Sequence, residues 1–198
     1  MKQRLLFIAY LLLSLSGNAQ SANNWIRQMA QDGENLWLAT NSGGLVKHNK
    51  QTGENTIYTT SNSGLCSDYL RSVTCHGGKV LVGSDNDGVS EFDGSTFKTY
   101  NTGNAPFEHS RQCFEEVIYD ADGNMWIGGQ KYIYKYDGTT WEDYTLPQAE
   151  WSSWLGFSVL KSSADGTLWF ATEGPNFDGS VGYITKDKEI KIASPSTQ

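Results

Sequence analysis

The sequence predicts an all-β chain, a small β-propeller of four four-stranded antiparallel blades. Three observations carry this. A turn-and-tryptophan unit recurs: "NLWLAT" centres on Trp37, "KVLVGS" on Leu81, "NMWIGG" on Trp126 and "TLWFAT" on Trp169, at separations of 44, 45 and 43 residues. Short runs of alternating polarity lie between Gly- and Asp-rich turns, with no helical periodicity long enough to compete. A period of about 40–45 residues is the usual length of a propeller blade, whose two apolar faces are buried only by stacking on neighbours.

Each unit resolves into four strands. The first strands are predicted at 25–30, 69–75, 114–119 and 157–162. A turn follows, built on Gly33, Gly123 and Gly166 in three units and on "HGG" in the second, because a tight hairpin needs the positive φ that glycine takes without a Cβ clash. The second strands carry the tryptophan, at 35–40, 79–84, 124–129 and 167–172. The third, at 44–49, 88–93, 132–137 and 181–186, include "YIYKYD", where rings alternate with other side chains. The fourth lie at 56–59, 97–100, 141–144 and 189–192. The units therefore run over about 24–60, 68–101, 113–146 and 156–192, within a domain of residues 20–198. Trp37, Trp126 and Trp169 are expected to fill the wedge between blades, since a residue repeated at one place answers a repeated packing problem.

The stretch "VIYDADGNMWIGGQKYIYKYDGTTWEDY" (117–144), and more loosely residues 26–58, resembles the two-component regulator propeller repeat. The resemblance covers about residues 24–192. It implies blades like those of the extracellular sensor regions of hybrid histidine kinases, where such assemblies are thought to recognise glycans. It supplies turn and packing residues and no catalytic position.

The amino terminus, "MKQRLLFIAYLLLSLSGNAQS", has a basic head, an apolar run over residues 5–15 and a small-residue exit. It reads as a signal peptide of residues 1–19, too short to span a bilayer. The expected location is periplasmic or extracellular, with no membrane insertion after cleavage. The formal charge of −7 gives no electrostatic reason to bind nucleic acid.

Four units either close as one ring or form an arc completed by a partner. The expectation is a single four-bladed ring; the alternative is a homo-oligomer or partner propeller, with two arcs making eight blades.

No catalytic, metal or cofactor site is predicted. His48, His76 and His109 stand apart, and no nucleophile elbow, zinc or phosphate-loop motif occurs. Glu115 and Glu116 point to opposite faces if both lie in a strand. "SDNDGVSEFDG" (84–94) lacks the closing Glu of a calcium loop, and its Asp and Asn residues suit turns. Cys66, Cys75 and Cys113 match no metal spacing and read as small buried hydrophobes, with a disulfide from Cys66 to Cys75 or Cys113 as the alternative. The candidate binding residues are those the repeat does not explain: Glu108, His109 and Arg111 in loop 101–112, and Trp151 and Trp154 in loop 146–156. Aromatics among Asn, Ser and Glu suit a glycan or peptide. The predicted function is an exported, non-enzymatic binding module. An assembly module is the first alternative, and a carbohydrate-active enzyme with loop-borne carboxylates the second.

Overall fold

The computed structural model describes residues 25–108, 112–129, 132–144, 156–173 and 181–193. The expected signal peptide lies outside them. Sixteen strands form four separate antiparallel meanders. The first sheet holds β1 (Ile26–Asp32), β2 (Asn35–Thr40), β3 (Leu45–Asn49) and β4 (Asn55–Tyr58). The second holds β5 (Leu70–His76), β6 (Lys79–Ser84), β7 (Val89–Phe92) and β8 (Phe97–Tyr100). The third holds β9 (Glu116–Tyr119), β10 (Met125–Gly128), β11 (Ile133–Tyr136) and β12 (Trp141–Asp143). The fourth holds β13 (Gly156–Ser162), β14 (Leu168–Glu173), β15 (Val181–Ile184) and β16 (Ile190–Ala193).

Register repeats from sheet to sheet. Ala30, Trp37, Lys47 and Thr56 form one cross-strand row, and Ile118, Trp126, Lys135 and Glu142 form its third-sheet copy. Thr74, Leu81, Glu91 and Lys98 are the second-sheet row, and Lys161, Trp169, Tyr183 and Lys191 the fourth. Directly paired residues share a face, so each row marks one face of its sheet. This forward face meets the rear face of the next sheet in the chain.

Three apolar cores fill the junctions. Trp37, Ala39 and Leu45 pack on Leu70, Val73, Val80, Val82 and Phe92 between the first two sheets. Leu81 and Val89 pack on Phe114, Val117, Ile127 and Tyr134 at the second junction. Ile118, Trp126 and Ile133 pack on Phe157, Leu160, Leu168 and Phe170 at the third. A fourth, smaller cluster of buried Leu36, Leu38 and Val46, with Ile26 and Ile57, draws its described members from the first sheet alone.

Two expectations are corrected. Among the described residues the ring is not closed: β1 packs on β5, β5 on β9 and β9 on β13, while β13 and β1 share no contact of comparable extent. Trp169 accordingly departs from its wedge role. Trp37 and Trp126 are 3% and 4% exposed, whereas Trp169 is 43% exposed.

Both kinds of Asp turn are satisfied internally. The Asp120 carboxylate accepts hydrogen bonds from the backbone N–H of Asp122 and Asn124, from the Asn124 amide, and from Trp126 Nε1 at 2.9 Å. Burial works against its charge, but the Asn124 and Trp126 donors hold it below the ordinary carboxylate range. Asp93 Oδ1 likewise accepts from the Ser95 and Thr96 backbone, each at 2.8 Å. Those bonds, Thr96 first, depress its pKa. Within the calcium-like stretch Asp93 is thus engaged in its own turn, Asp85 is paired with Arg71, and Glu91 is held by Lys79, Tyr100 and Tyr119.

Candidate functional site

Taking the first strand of each sheet as its inner strand, the loops entering β5 and β9 and the β2–β3 and β6–β7 turns lie at one end of the sheets, the loop face. Their shape begins with a repeated device. Thr59 N–H donates to Asn62 Oδ1 and Asn62 Nδ2 to the Ile57 carbonyl. Asn101 N–H donates to Asn104 Oδ1 and Asn104 Nδ2 to the Thr99 carbonyl. Three residues beyond each Asn, Leu65 and Phe107 plug the neighbouring core, 4% and 5% exposed. The first halves of these loops are therefore repeat structure, and their Asn and apolar residues need no ligand to explain them.

The second loop is two residues longer than the first, counted from Tyr58 to Leu70 and from Tyr100 to Phe114. A cleft of about 500 Å³ opens there between the second and third sheets. Its walls include Asn86, Asp87, Asn101 and Thr102, with Cys66 and the buried rings of Phe107 and Phe114. Burial pushes the Cys66 thiol above its usual range, so it is a neutral wall atom at physiological pH.

Beside the cleft runs a second set of groups. The inner strands bulge at one repeated place, register shifts falling at Arg27, Arg71 and Ser158. Such a bulge re-aims its side chain. The Arg27 guanidinium donates to Asn41 Oδ1. Arg71 pairs with Asp85 and, at 3.2 Å, with Glu115, the residue at the corresponding place in the third repeat. Two residues before each arginine stands an exposed ring: Trp25 is 66% exposed and Tyr69 55%. Their backbone carbonyls accept from Asn41 and Asp85 N–H at 2.8 and 3.0 Å, which ties each ring to the partner of its arginine. The rim thus presents two aromatic faces, two guanidinium groups and an amide–carboxylate set, an arrangement suited to stacking and hydrogen bonding with a polar ligand.

This rim was legible in "WIRQ" (25–28) and "YLRS" (69–72), a repeated aromatic–x–Arg ahead of the inner strand, and the sequence reading passed over it. Of the residues it chose instead, His109, Arg111, Trp151 and Trp154 lie outside the described residues. Glu108 is exposed and accepts from Tyr132 Oη at 2.5 Å. Glu115 and Glu116 do part ways: Glu116 accepts from Gln28 Nε2, both oxygens at 3.0 Å, while Glu115 goes to Arg71.

Among the described residues no three His, Cys, Asp or Glu side chains gather as a metal site. His48 Nδ1 lies 2.8 Å from Asn55 Oδ1, and His76 packs on the Tyr119 ring. All three cysteines are free and half-buried, so neither alternative disulfide forms. Burial raises Cys75 to about 12, which leaves it without thiolate character.

No protein-family model and no curated protein matches the sequence. Solved structures do. The extracellular domain of a proposed one-component system, BT4673 of B. thetaiotaomicron, is 19% identical over 89% of this chain and 23% of its own, with a TM-score of 0.68. The extracellular domain of the proposed hybrid two-component system BT3049 from the same organism is 16% identical over 85% of this chain and 23% of its own, TM-score 0.66. A GH74 xyloglucanase from Xanthomonas campestris is 18% identical over 87% of this chain and 31% of its own, TM-score 0.58. The chain is a remote match to bacterial extracellular sensor domains and spans about a quarter of the length of those it matches. At this identity the likeness is one of fold, which a xyloglucanase shares.

Proposed function

We propose that this chain is an exported, non-enzymatic binding module whose site is the loop-face rim of the first two repeats, continued by the cleft between the second and third sheets. The observation that carries the reading is the pair of exposed rings, Trp25 and Tyr69, each fixed beside an arginine at the same place in successive repeats. Two aromatic faces one blade apart, with guanidinium and amide groups between them, suit consecutive sugar units of a glycan. A peptide is the second ligand class. Likeness to extracellular sensor domains and to a xyloglucanase supports export and a glycan ligand, since those proteins work outside the cell or on a polysaccharide. The non-enzymatic reading rests on Asp85 and Glu115 being held by one arginine, which suits them to structure rather than to acid–base work. Trp151 and Trp154 are further candidate ligand contacts in this proposal.

The test is a glycan and peptide screen of the chain from residue 20 onward, followed by titration of any hit by calorimetry. Trp25→Ala and Tyr69→Ala should each weaken binding about tenfold, the loss expected of one aromatic contact in a mostly solvated site. Unchanged affinity in both variants overturns the assignment of the rim, and a hit retained only by peptides overturns the glycan reading.

A further inference from the structure

The loops entering β5 and β9 begin alike and finish differently. In the first, Asp68 closes the loop. Its carboxylate accepts the Thr60 backbone N–H at 2.7 Å and the Thr60 hydroxyl at 3.2 Å, and its carbonyl accepts the Gly44 N–H at 3.0 Å. One residue thus ties the loop to the β2–β3 turn through three donors.

The second loop keeps these donors and loses their acceptor. Gly88 stands where Gly44 does: each carbonyl accepts the hydroxyl of the residue four before it, Ser84 or Thr40, at 2.8 Å. Thr102 follows Tyr100 by two residues, as Thr60 follows Tyr58. The counterpart of Asp68, two residues before Phe114 as Asp68 is before Leu70, is Gln112. Its side chain is uncharged and buried, 4% exposed, and neither amide atom has a hydrogen-bond partner. Among the described residues nothing accepts from the Gly88 N–H, the Thr102 N–H or the Thr102 hydroxyl. Gly88 and Thr102 both line the cleft between the second and third sheets. The cleft therefore lies where an aspartate sits one repeat earlier.

The rest of the lining adds hydrogen-bonding capacity of the other sense. Asp87 gives its N–H to Ser84 Oγ, but its carboxylate accepts from no described residue. Asn86 beside it has no side-chain partner either, and both residues are exposed. Such groups call for hydroxyl donors. No Lys or Arg is among the described lining residues, in a chain of net charge −7.

We propose that the cleft takes a carboxylated sugar unit of the glycan, an inference that rests on the loop-face reading above. The carboxylate sits on Thr102 as Asp68 sits on Thr60, a neighbouring ring or hydroxyl oxygen accepts the Gly88 N–H, and sugar hydroxyls donate to Asp87 and Asn86. A hexuronate or sialate carries an anionic acceptor and several hydroxyl donors on one ring. A neutral sugar lacks the first, and an aspartyl peptide lacks the second. Neutral N–H and O–H donors suffice to hold a carboxylate, because hydrogen bonds to an ionised acceptor are roughly twice as strong as neutral ones.

The test is calorimetry on the chain from residue 20 onward. The ligands are tetrasaccharides of galacturonate, glucuronate and mannuronate, and 3′-sialyllactose, each beside its carboxyl-reduced form. One acidic ligand should bind about tenfold more tightly than its neutral form. Thr102→Val, at an exposed position, should cut that preference to about threefold or less and leave the affinity of the neutral form unchanged. Thr60→Val should alter neither affinity. Salt raised to about 0.5 M should not weaken the acidic ligand, since screening relieves repulsion from the acidic chain. Equal affinity for acidic and neutral forms, both lowered by Trp25→Ala, overturns the carboxylate site and leaves the rim reading in place. A preference untouched by Thr102→Val, or removed by salt, assigns the carboxylate to an arginine of the rim and overturns the cleft site. Thr102-dependent binding of an aspartate-rich peptide in place of every sugar overturns both the sugar assignment and the glycan reading.

Discussion

Three tryptophans at one repeated position allow the wedge argument to be measured. Trp126 is 4% exposed, donates its indole N–H to Asp120, and packs on Tyr144 with ring centroids 5.3 Å apart. Truncating it to alanine removes a full aromatic burial, opens a cavity between two sheets and strands a buried carboxylate acceptor, a loss of about 4–5 kcal/mol. Trp37 is as deeply buried but its Nε1 has no hydrogen-bond partner. The first hairpin explains this: its turn is Gly33–Glu34, shorter than the Asp120–Asn124 loop, so no carboxylate reaches back to the ring. Trp37→Ala should therefore cost about 1 kcal/mol less than Trp126→Ala, roughly 3–4 kcal/mol. Trp169, 43% exposed, leaves no enclosed cavity, and its loss should cost the monomer less than about 2 kcal/mol. Urea unfolding followed by far-UV circular dichroism, at concentrations low enough to keep the chain monomeric, gives all three values. The reasoning fails if Trp169→Ala costs the dilute monomer as much as Trp126→Ala, since the fourth face would then be covered within the chain.

Two further substitutions probe the turns. Gly88 has φ +101 and an added Cβ would lie 2.1 Å from the Tyr100 carbonyl oxygen, whereas Gly94 has φ +99 and open space around it. Gly88→Ala should thus cost more than about 3 kcal/mol and disturb the cleft, and Gly94→Ala only the 1–2 kcal/mol of its backbone conformation. Melting temperatures of the two variants, and loss of ligand binding in the first alone, check this. Asp120→Ala should cost about 2–3 kcal/mol at neutral pH by releasing the Trp126 N–H and the turn. Because the folded-state pKa of Asp120 is depressed, its stabilisation is present above the unfolded value near 4 and is lost as pH falls through the folded one. The gap between wild type and variant should therefore narrow below about pH 4, and a gap that persists there would assign the effect to packing alone.

Period and alternation located all sixteen strands because each depends on local pattern. The second strands at 35–40 and 79–84 match to the residue, and the poorest match, the first unit's first strand, runs over Ile26–Asp32 instead of 25–30. Closure was not legible, because it depends on the angles between sheets, and the fourth repeat is written like the others whether or not a sheet covers it. The same holds for Trp169: its pattern fits a wedge, yet its ring is 43% exposed. The Arg71–Asp85–Glu115 group joins residues 14 and 44 positions apart through a bulge, which periodicity does not register. What could have been read and was not is the repeated aromatic–x–Arg before β1 and β5.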